Sequence, residues 1–318
     1  MNTSPLVSIV MAAYNAEMYI GDAIRSVLCQ TYREFELIVV DDGSSDSTAK
    51  RVGAFNDSRV LLLSQENKGQ DAALNAGYRV AKGEWVKFMD SDDLINPDML
   101  RLQVERLEAN PGHVAYSEWD RFYDDRPDLA RFQPLDYWKD MAPLDFLTAR
   151  PEGVMLQCGS ILVPRTIIEK AGLWDERLIL YNDTEFFTRV ILASSGVLFT
   201  PGARLYYRSG LEKSLSAQRA RKFFESTYLA TCMIGERMLA AENSERVRQL
   251  IANMFFDRYT NMYPQFRALG KKHAQKIAEY GEPTITMGGG ASMKIASKLL
   301  GWKGAKMAQW LINKLRFL

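Results

Sequence analysis

From Leu6 to Glu108, short apolar runs alternate with amphipathic stretches. Leu6 to Ala12 is a β-rich apolar run, and Tyr19 to Cys29 repeats its apolar positions at helical spacing. Phe35 to Val40 predicts a second strand that ends at Asp41 and Asp42, followed by a helix over Asp46 to Phe55 and a strand over Val60 to Ser64. Asp71 to Ala81 predicts a helix and Glu84 to Met89 a strand; Asn96 then caps a helix with Pro97 at its first position, running to about Glu108. Repeated βαβ units of this kind imply a mainly parallel sheet with helices on both faces. Ligands of such sheets gather at the carboxyl ends of the strands. Here those ends read Ala12-Ala13-Tyr14-Asn15, Asp41-Asp42-Gly43-Ser44 and Asp90-Ser91-Asp92-Asp93, so polar clusters converge on one rim.

The middle of the chain is less regular. Gly112 to Glu152 is acidic and aromatic, with Trp119, Phe122, Tyr123, Tyr137 and Trp138, and reads as irregular. Gly159 to Val163 predicts a further strand, a helix begins at Pro164, Asn182 starts another helix, and Val197 to Tyr207 supplies strand material. Helical periodicity then holds from Lys213 to about Tyr280, and Gly288-Gly289-Gly290 separates it from a tail.

Composition sharpens this picture at the tail. Of 318 residues, 47% are hydrophobic and 25% charged, the balance of a globular protein with a sizeable core. The net charge of +1 hides an asymmetry: residues 287–318 hold six of the 40 basic residues and none of the 39 acidic ones, leaving 34 bases against 39 acids in the body. Cys29, Cys158 and Cys232 are widely spaced with no Cys-x-x-Cys pair, which fits a reducing cytoplasm. The first base is Arg25, which argues against a signal peptide, and no apolar run approaches the ~20 residues of a membrane span. Nucleic acid is not an expected partner.

Asp90-x-Asp92 directly follows an apolar strand. Carboxylates fixed at a strand end can hold a hard divalent ion, Mg²⁺ or Mn²⁺, that keeps open positions for diphosphate oxygens; taken alone, the same pair also suits turn solvation and capping. The context is more specific. Val10-Met11-Ala12-Ala13-Tyr14-Asn15, Ile38-Val39-Val40-Asp41-Asp42-Gly43-Ser44-Ser45-Asp46, Asn67-Lys68-Gly69 with Ala73-Leu74-Asn75-Ala76-Gly77, and Met89-Asp90-Ser91-Asp92-Asp93 occur in order. In that order and spacing the chain resembles the family 2 glycosyltransferases, whose α/β fold is termed GT-A, from about Pro5 to Leu107 with weaker echoes to about Ser216.

The resemblance implies roles. The backbone around Ala13, Tyr14 and Asn15 would lie along a nucleotide, and Asp41 would accept from a pyrimidine ring NH with Asn67 nearby. Asp90 would face the ribose and Asp92 would be the chief protein ligand of the metal, with Asp93 supporting the loop. Leu74 departs from the pattern, since many relatives carry Arg there. Asp42 and Asp46 remain open between site roles and simple turn and cap roles. Asn182-Asp183-Thr184-Glu185 resembles the family's Glu-Asp motif with Asn182 in place of Glu, and Ala171-Gly172-Leu173-Trp174-Asp175-Glu176 resembles its approach. Asp183 would then be an inverting general base; as a helix-start pattern, Asn182 would be the N-cap, with Glu185 at the third helical position, and Asp183 could instead only decorate that terminus. Tyr207-Arg208 with Ser214-Leu215-Ser216 resembles a late segment that folds over the diphosphate, although the usual histidine is missing; Arg208 is open between that contact and an ion pair. Gln157 and Cys158 align where relatives begin their acceptor side, and His113 and His273 read as structural.

In the tail, Ile295, Leu299, Leu300, Met307, Trp310, Leu311, Leu315 and Leu318 recur at helical spacing between lysines. Such a basic amphipathic segment suits an anionic membrane surface, or a packing face against the acidic body or a partner subunit. The expectation is therefore a GT-A domain over 1–212, a Rossmann-like, mainly parallel sheet flanked by helices, with a helical region over 213–286 and a membrane-surface helix over 287–318. The expected activity is transfer from a nucleotide sugar, a UDP-sugar first, to a glycan or lipid-linked acceptor of bacterial surface polysaccharide or lipopolysaccharide, at the inner face of the cell membrane with Mn²⁺ or Mg²⁺. A nucleotidyltransferase or a nucleotide-binding scaffold without turnover are the alternatives.

Overall fold

The computed structural model describes residues 6–211 and 218–315. The chain divides into two compact units, one of Met1–Phe146 with Met155–Ala217, the other of Leu147–Val154 with Gln218–Leu318.

The first unit is built on β1 (Val7–Ala13), α1 (Ile20–Leu28), β2 (Phe35–Asp41), α2 (Thr48–Gly53), β3 (Val60–Ser64), α3 (Gln70–Val80) and β4 (Trp85–Asp90). It continues through β5 (Leu94–Ile95), α4 (Met99–Glu108), β6 (Val114–Phe122), α5 (Pro143–Leu147), β7 (Ile161–Pro164), α6 (Arg165–Ala171), α7 (Asn182–Ala193) and β8 (Val197–Arg208). The eight strands form one sheet in the order β3-β2-β1-β4-β7-β6-β8-β5. β3, β2, β1 and β4 run parallel, β7 is antiparallel to β4 and to β6, and β6 pairs in parallel with β8.

β1 and β2 are buried almost without alternation because both faces of a parallel sheet lie under helices. α3 comes down very close: a Cβ on Gly77 would sit 2.5 Å from Val10 and 3.1 Å from Val40, so only glycine lets the helix seat there. An aromatic cluster on the next face joins β4 to α7. Trp174 stacks on Phe186 at 4.0 Å, and Phe88 meets both edge-on at 5.2 and 5.4 Å.

Three local expectations are corrected. The stretch expected to be irregular contains β6 and α5; β6 was hidden because Glu118 and Asp120 interrupt its apolar pattern, yet Arg204 on β8 pairs with Glu118. Asn96 does not cap α4, which starts at Met99. Its side chain instead donates to Gly202 O at 2.9 Å and accepts from Arg204 N at 2.8 Å, stitching β5 beside β8. Asn182 is not an N-cap either: Tyr181 holds the capping position in a left-handed conformation (φ 65°), and Asn182 begins the helix proper.

The second unit contains α8 (Arg221–Ala241), α9 (Glu245–Met262), α10 (Arg267–Tyr280) and α11 (Ala291–Leu315). Buried Asn253 on α9 draws two loops together, donating to Pro151 O at 2.9 Å and to Thr284 Oγ1 at 3.0 Å while accepting from Thr284 N at 2.8 Å. α11 breaks at Gly301, which takes a left-handed φ of 68°. Beyond the break, Trp302 packs edge-on against Phe256, Tyr259 and Tyr263 at 5.0 to 5.5 Å and Ala305 is buried. Before it, no residue of 291–300 is buried. Among the described residues no helix is long and apolar enough to cross a membrane.

Candidate active site

The carboxyl ends of β1, β2 and β4 lie side by side, with Ala13 in register with Asp41 and Ala12 with Asp90. Asn15, with a positive φ of 49°, ties the first two ends together: its Oδ1 accepts from Ser45 N at 2.8 Å and its main-chain N–H donates to Ser44 Oγ at 2.9 Å. Ala13 is buried and Tyr14 is 54% exposed, so its ring is open to solvent at this rim. Gly43 turns at φ 75°, and a Cβ there would lie 2.8 Å from Asn67 N, so the glycine brings the exposed Asn67 beside the Asp41-Asp42 turn.

The acidic residues of this rim divide by their partners. Asp42 accepts from Gln65 Nε2, Lys68 N and Gly69 N at 2.7 to 2.9 Å, which fixes the loop entering α3. Asp46 accepts from Thr48 Oγ1, from Thr48 N at 2.9 Å and from Glu17 N at 3.1 Å, holding the start of α2; burial would raise its carboxyl, but the Thr48 hydroxyl and these two main-chain bonds together hold it below the ordinary range. Asp41 is buried and accepts from Ser44 N at 3.3 Å.

At the end of β4 the environment is different. Burial and the negative charges of Asp92 and Asp183 push the Asp90 carboxyl up to about 7, while Gln70 Nε2 donates to it at 2.8 Å. Burial also raises Asp92, opposed by the Arg208 guanidinium. Asp93 is fully buried and burial raises it well above the carboxylate range, helped by Asp92 and Asp90; its Oδ1 accepts from Arg208 N at 2.8 Å and its Oδ2 has no partner among the described residues.

Arg208 ends β8 with its side chain 4% exposed. Its guanidinium lies between the rings of Tyr19 and Phe122 at 4.6 and 4.5 Å, donates from Nε to Asp92 O at 2.8 Å, and pairs with Asp125. Its contacts here are therefore with the Asp92-Asp93 loop and protein aromatics. Ser214-Leu215-Ser216, expected to act with it, lie outside the described residues.

Asp183 enters from α7. Its carboxyl is half-buried, accepts from Thr184 N at 2.6 Å, and is pushed up to about 6 by burial. The approach to it is held by two side chains. Arg189 donates to the carbonyls of Ala171, Gly172 and Leu173 at 2.6 to 3.0 Å, and Asn75 donates to Trp174 O and accepts from Trp174 N, both at 3.0 Å. Glu185 is not a cap residue: it is 1% exposed and pairs with Arg189 through both oxygens at 2.8 and 2.9 Å. Sequence reasoning missed Gln70, Asp71 and Arg189, whose bonds to Asp90, to Asn182 and to the 171–173 carbonyls join separate segments. Asp71 is buried, bonds Asn182, and is raised to about 7 chiefly by burial.

Gln157 and Cys158, both buried, lie beside this cluster. Burial raises the Cys158 thiol, and the charges of Asp90, Asp183, Asp71 and Asp93 add to it; neither polar atom of the Gln157 carboxamide has a partner among the described residues. Tyr207 is raised by burial and by Asp90, Asp93 and Asp183. Residues from β4, α7, β8 and the 157–158 segment thus share one electrostatic neighbourhood.

Among the described residues no three His, Cys, Asp or Glu side chains converge as a metal cage. Mg²⁺ and Mn²⁺ sites of phosphate-handling enzymes commonly use one or two carboxylates and leave the rest to phosphate and water. Asp92, whose carboxylate takes no hydrogen bond from another residue among the described residues, and Asp90, disfavoured by its neighbours' charge, match that donor set.

The family model for Glycosyl transferase family 2 matches residues 8–172. An uncharacterized glycosyltransferase of Rickettsia typhi is 31% identical over 194 residues, 60% of each chain, so the match spans less than two thirds of that relative. The UDP-Glc:alpha-D-GlcNAc-diphosphoundecaprenol beta-1,3-glucosyltransferase WfgD of Escherichia coli is 42% identical over 116 residues, 36% of this chain and 46% of that one. Among solved structures, Staphylococcus aureus TarS 1-349 in complex with UDP-GlcNAc superposes with a TM-score of 0.67 at 20% identity, covering 86% of this chain and 81% of that one, which establishes the shared fold. With its GT-A architecture and a family match over more than half its length, the chain belongs to glycosyl transferase family 2.

Proposed function

We propose that this protein transfers a sugar, with inversion, from a UDP-sugar to a hydroxyl of a lipid-linked glycan. The observation that carries the reading is electrostatic: Asp92 after β4 and Asp183 on α7 both raise Asp90, so the candidate general base lies within charge-interaction range of the strand-end carboxylates. Family membership and the UDP and UDP-GlcNAc named for the TarS structures support the donor class. The lipid diphosphate in the name of the E. coli relative supports the acceptor class.

In this reading Asp41 and Asn67 hold the base, the Ala13-Tyr14-Asn15 backbone lies along the nucleotide, and Asp90 accepts from the ribose. Asp92 would hold Mn²⁺ or Mg²⁺, which when bound supplies Lewis-acid neutralisation of the departing diphosphate. Asp183, ionised at neutral pH because its carboxyl lies near 6, takes the proton of the acceptor hydroxyl as that oxygen attacks the anomeric carbon. Arg208 keeps the Asp92-Asp93 loop in place and sets a positive charge beside it. The basic, apolar α11 would rest on an anionic membrane surface, bringing the site to its acceptor.

The deciding assay measures UDP release from UDP-sugars with Mn²⁺, with and without a lipid-linked acceptor. Acceptor-dependent release supports transfer. Binding without release would indicate a nucleotide-binding scaffold, and pyrophosphate release from a nucleoside triphosphate and a sugar phosphate would indicate a nucleotidyltransferase. Asp92→Asn should lose metal-dependent donor binding, and full activity of that variant without added metal would remove Asp92 from the metal role.

A further inference from the structure

Two consecutive residues in the first turn of α3 reach different parts of the site. Gln70 Nε2 donates to Asp90 Oδ1 at 2.8 Å, and Asp71 Oδ1 accepts from Asn182 Nδ2, the residue immediately before Asp183. Asp71 is 3% exposed and Asn182 8%, so water cannot replace either partner, and the second Asp71 oxygen has no partner among the described residues. Asn182 also stands where the family resemblance places Glu, and its amide carries no charge. The acid bonded to Asn182 comes from Asp71, 111 residues away in sequence.

We propose that Asp71 and Asn182 are a positioning pair that relocates the missing acid of the Glu-Asp motif onto α3, so that one helical turn sets the placement of the base against the donor-side carboxylate. The pair ties the start of α7 to the start of α3, and Gln70 ties that same turn to Asp90. Asp175, Asp183 and Glu185 face Asp71; Asp175 is paired with Arg177 and Glu185 with Arg189, while among the described residues Asp183 is bonded only by Thr184 and its own backbone. The pair therefore holds the segment carrying the one acid of these three that has no basic partner among the described residues. This role rests on the reading of Asp183 as the base. Asp71 is a positioning residue: it acts through Asn182 on where Asp183 sits.

The test exchanges the two groups. Asp71→Asn keeps size and can still accept from Asn182 through its amide oxygen, but removes the acid. Asn182→Asp sets two carboxylates against each other. The double variant Asp71→Asn with Asn182→Asp restores an acid-amide bond of the same volume, with the acid now on α7. Transfer kinetics and melting curves are measured for all three and for Asp183→Asn. Each single variant should lower kcat roughly 10- to 100-fold with donor KM nearly unchanged, the scale of an ångström-sized misplacement, and the exchange should recover most of it. An exchanged protein that melts like the wild type yet is no faster than the singles would overturn the proposal, as would wild-type kcat in Asp71→Asn beside a dead Asp183→Asn. Near-normal turnover in Asp183→Asn would instead overturn the base assignment and, with it, the role of the pair. Should the single variants unfold, the exchanged protein alone decides, because it conserves both volume and hydrogen bond.

Discussion

Arg208 Nε donates to the main-chain oxygen of Asp92 at 2.8 Å, while the Arg208 amide donates to the Asp93 carboxylate at the same distance. The last residue of β8 thus clamps the loop that follows β4 from two sides. The bond from the main-chain N–H survives any substitution except proline, whereas the guanidinium contact does not. Lysine retains the charge but cannot donate from Nε while lying flat between Tyr19 and Phe122. Arg208→Lys should therefore weaken UDP-sugar binding by roughly 10-fold and lower stability by about 1 to 3 kcal/mol, the usual cost of leaving a buried polar partner unmatched. Isothermal titration beside denaturant unfolding checks both. Unchanged donor affinity would confine Arg208 to loop support.

The pH dependence of turnover follows from Asp183. Burial raises its carboxyl to about 6, and a base acts only when ionised. The kcat should be flat above about pH 7 and fall as pH drops through about 6. Asp183→Asn should lower kcat by ~10² to 10⁴ and abolish that step, with donor affinity preserved. A profile recorded between pH 5 and 8 decides it, and an unchanged step in the variant would assign the titration elsewhere. Glu185→Gln is no neutral control for this experiment, because the Glu185-Arg189 pair holds the 171–173 carbonyls.

How much of this was legible beforehand differs by element. β1, β2 and β4 could be read because strands covered on both faces are continuous apolar runs, and their polar ends mark the rim. β6 was not, since its polar residues are matched by β8 across a register shift at Ser117/Glu118, and matching of that kind leaves no periodic trace. The placement of Asp183 followed from resemblance, but its restraint did not. Asn75 to Trp174 and Asp71 to Asn182 are contacts between α3 and segments about a hundred residues on, and no local pattern encodes them.

His273 gives the second unit its own acid sensitivity. The ring is fully buried among Tyr228, Phe255 and Tyr259, its Nδ1 bonds Leu269 O at 2.9 Å, and burial holds it down at about 4. In the unfolded chain it titrates near 6.5. Between those values the unfolded state binds a proton that the folded state refuses, so stability is complete above about pH 6.5 and is lost as pH falls towards 4. The loss approaches 1.4 kcal/mol per pH unit within that window. His273→Phe should flatten this part of the curve. Denaturant unfolding of both proteins at several pH values provides the check, since other groups cancel in the difference, and parallel curves would refute the assignment.

The last prediction separates membrane contact from packing within α11. Leu299 and Leu300, before the break at Gly301, are 78% and 61% exposed, and Lys294 and Lys298 flank them with no acid in the helix. Trp302, one residue past the break, packs instead on Phe256, Tyr259 and Tyr263. If 291–300 rests on an anionic bilayer, each leucine that enters the lipid contributes about 1.5 to 3 kcal/mol. Leu299→Ser with Leu300→Ser should then reduce binding to phosphatidylserine vesicles by at least ~10-fold while leaving the melting temperature unchanged, because neither side chain is packed on protein. Trp302→Ala should do the reverse, lowering the melting temperature through lost aromatic contacts while the leucines still bind lipid. Binding of the wild type should weaken as salt rises, as the lysine contribution is screened. Vesicle sedimentation and thermal melts on the three proteins give the comparison. Undiminished sedimentation of the double serine variant would show that the exposed leucines are not a membrane contact, and a lowered melting temperature in that variant would assign them to a protein interface.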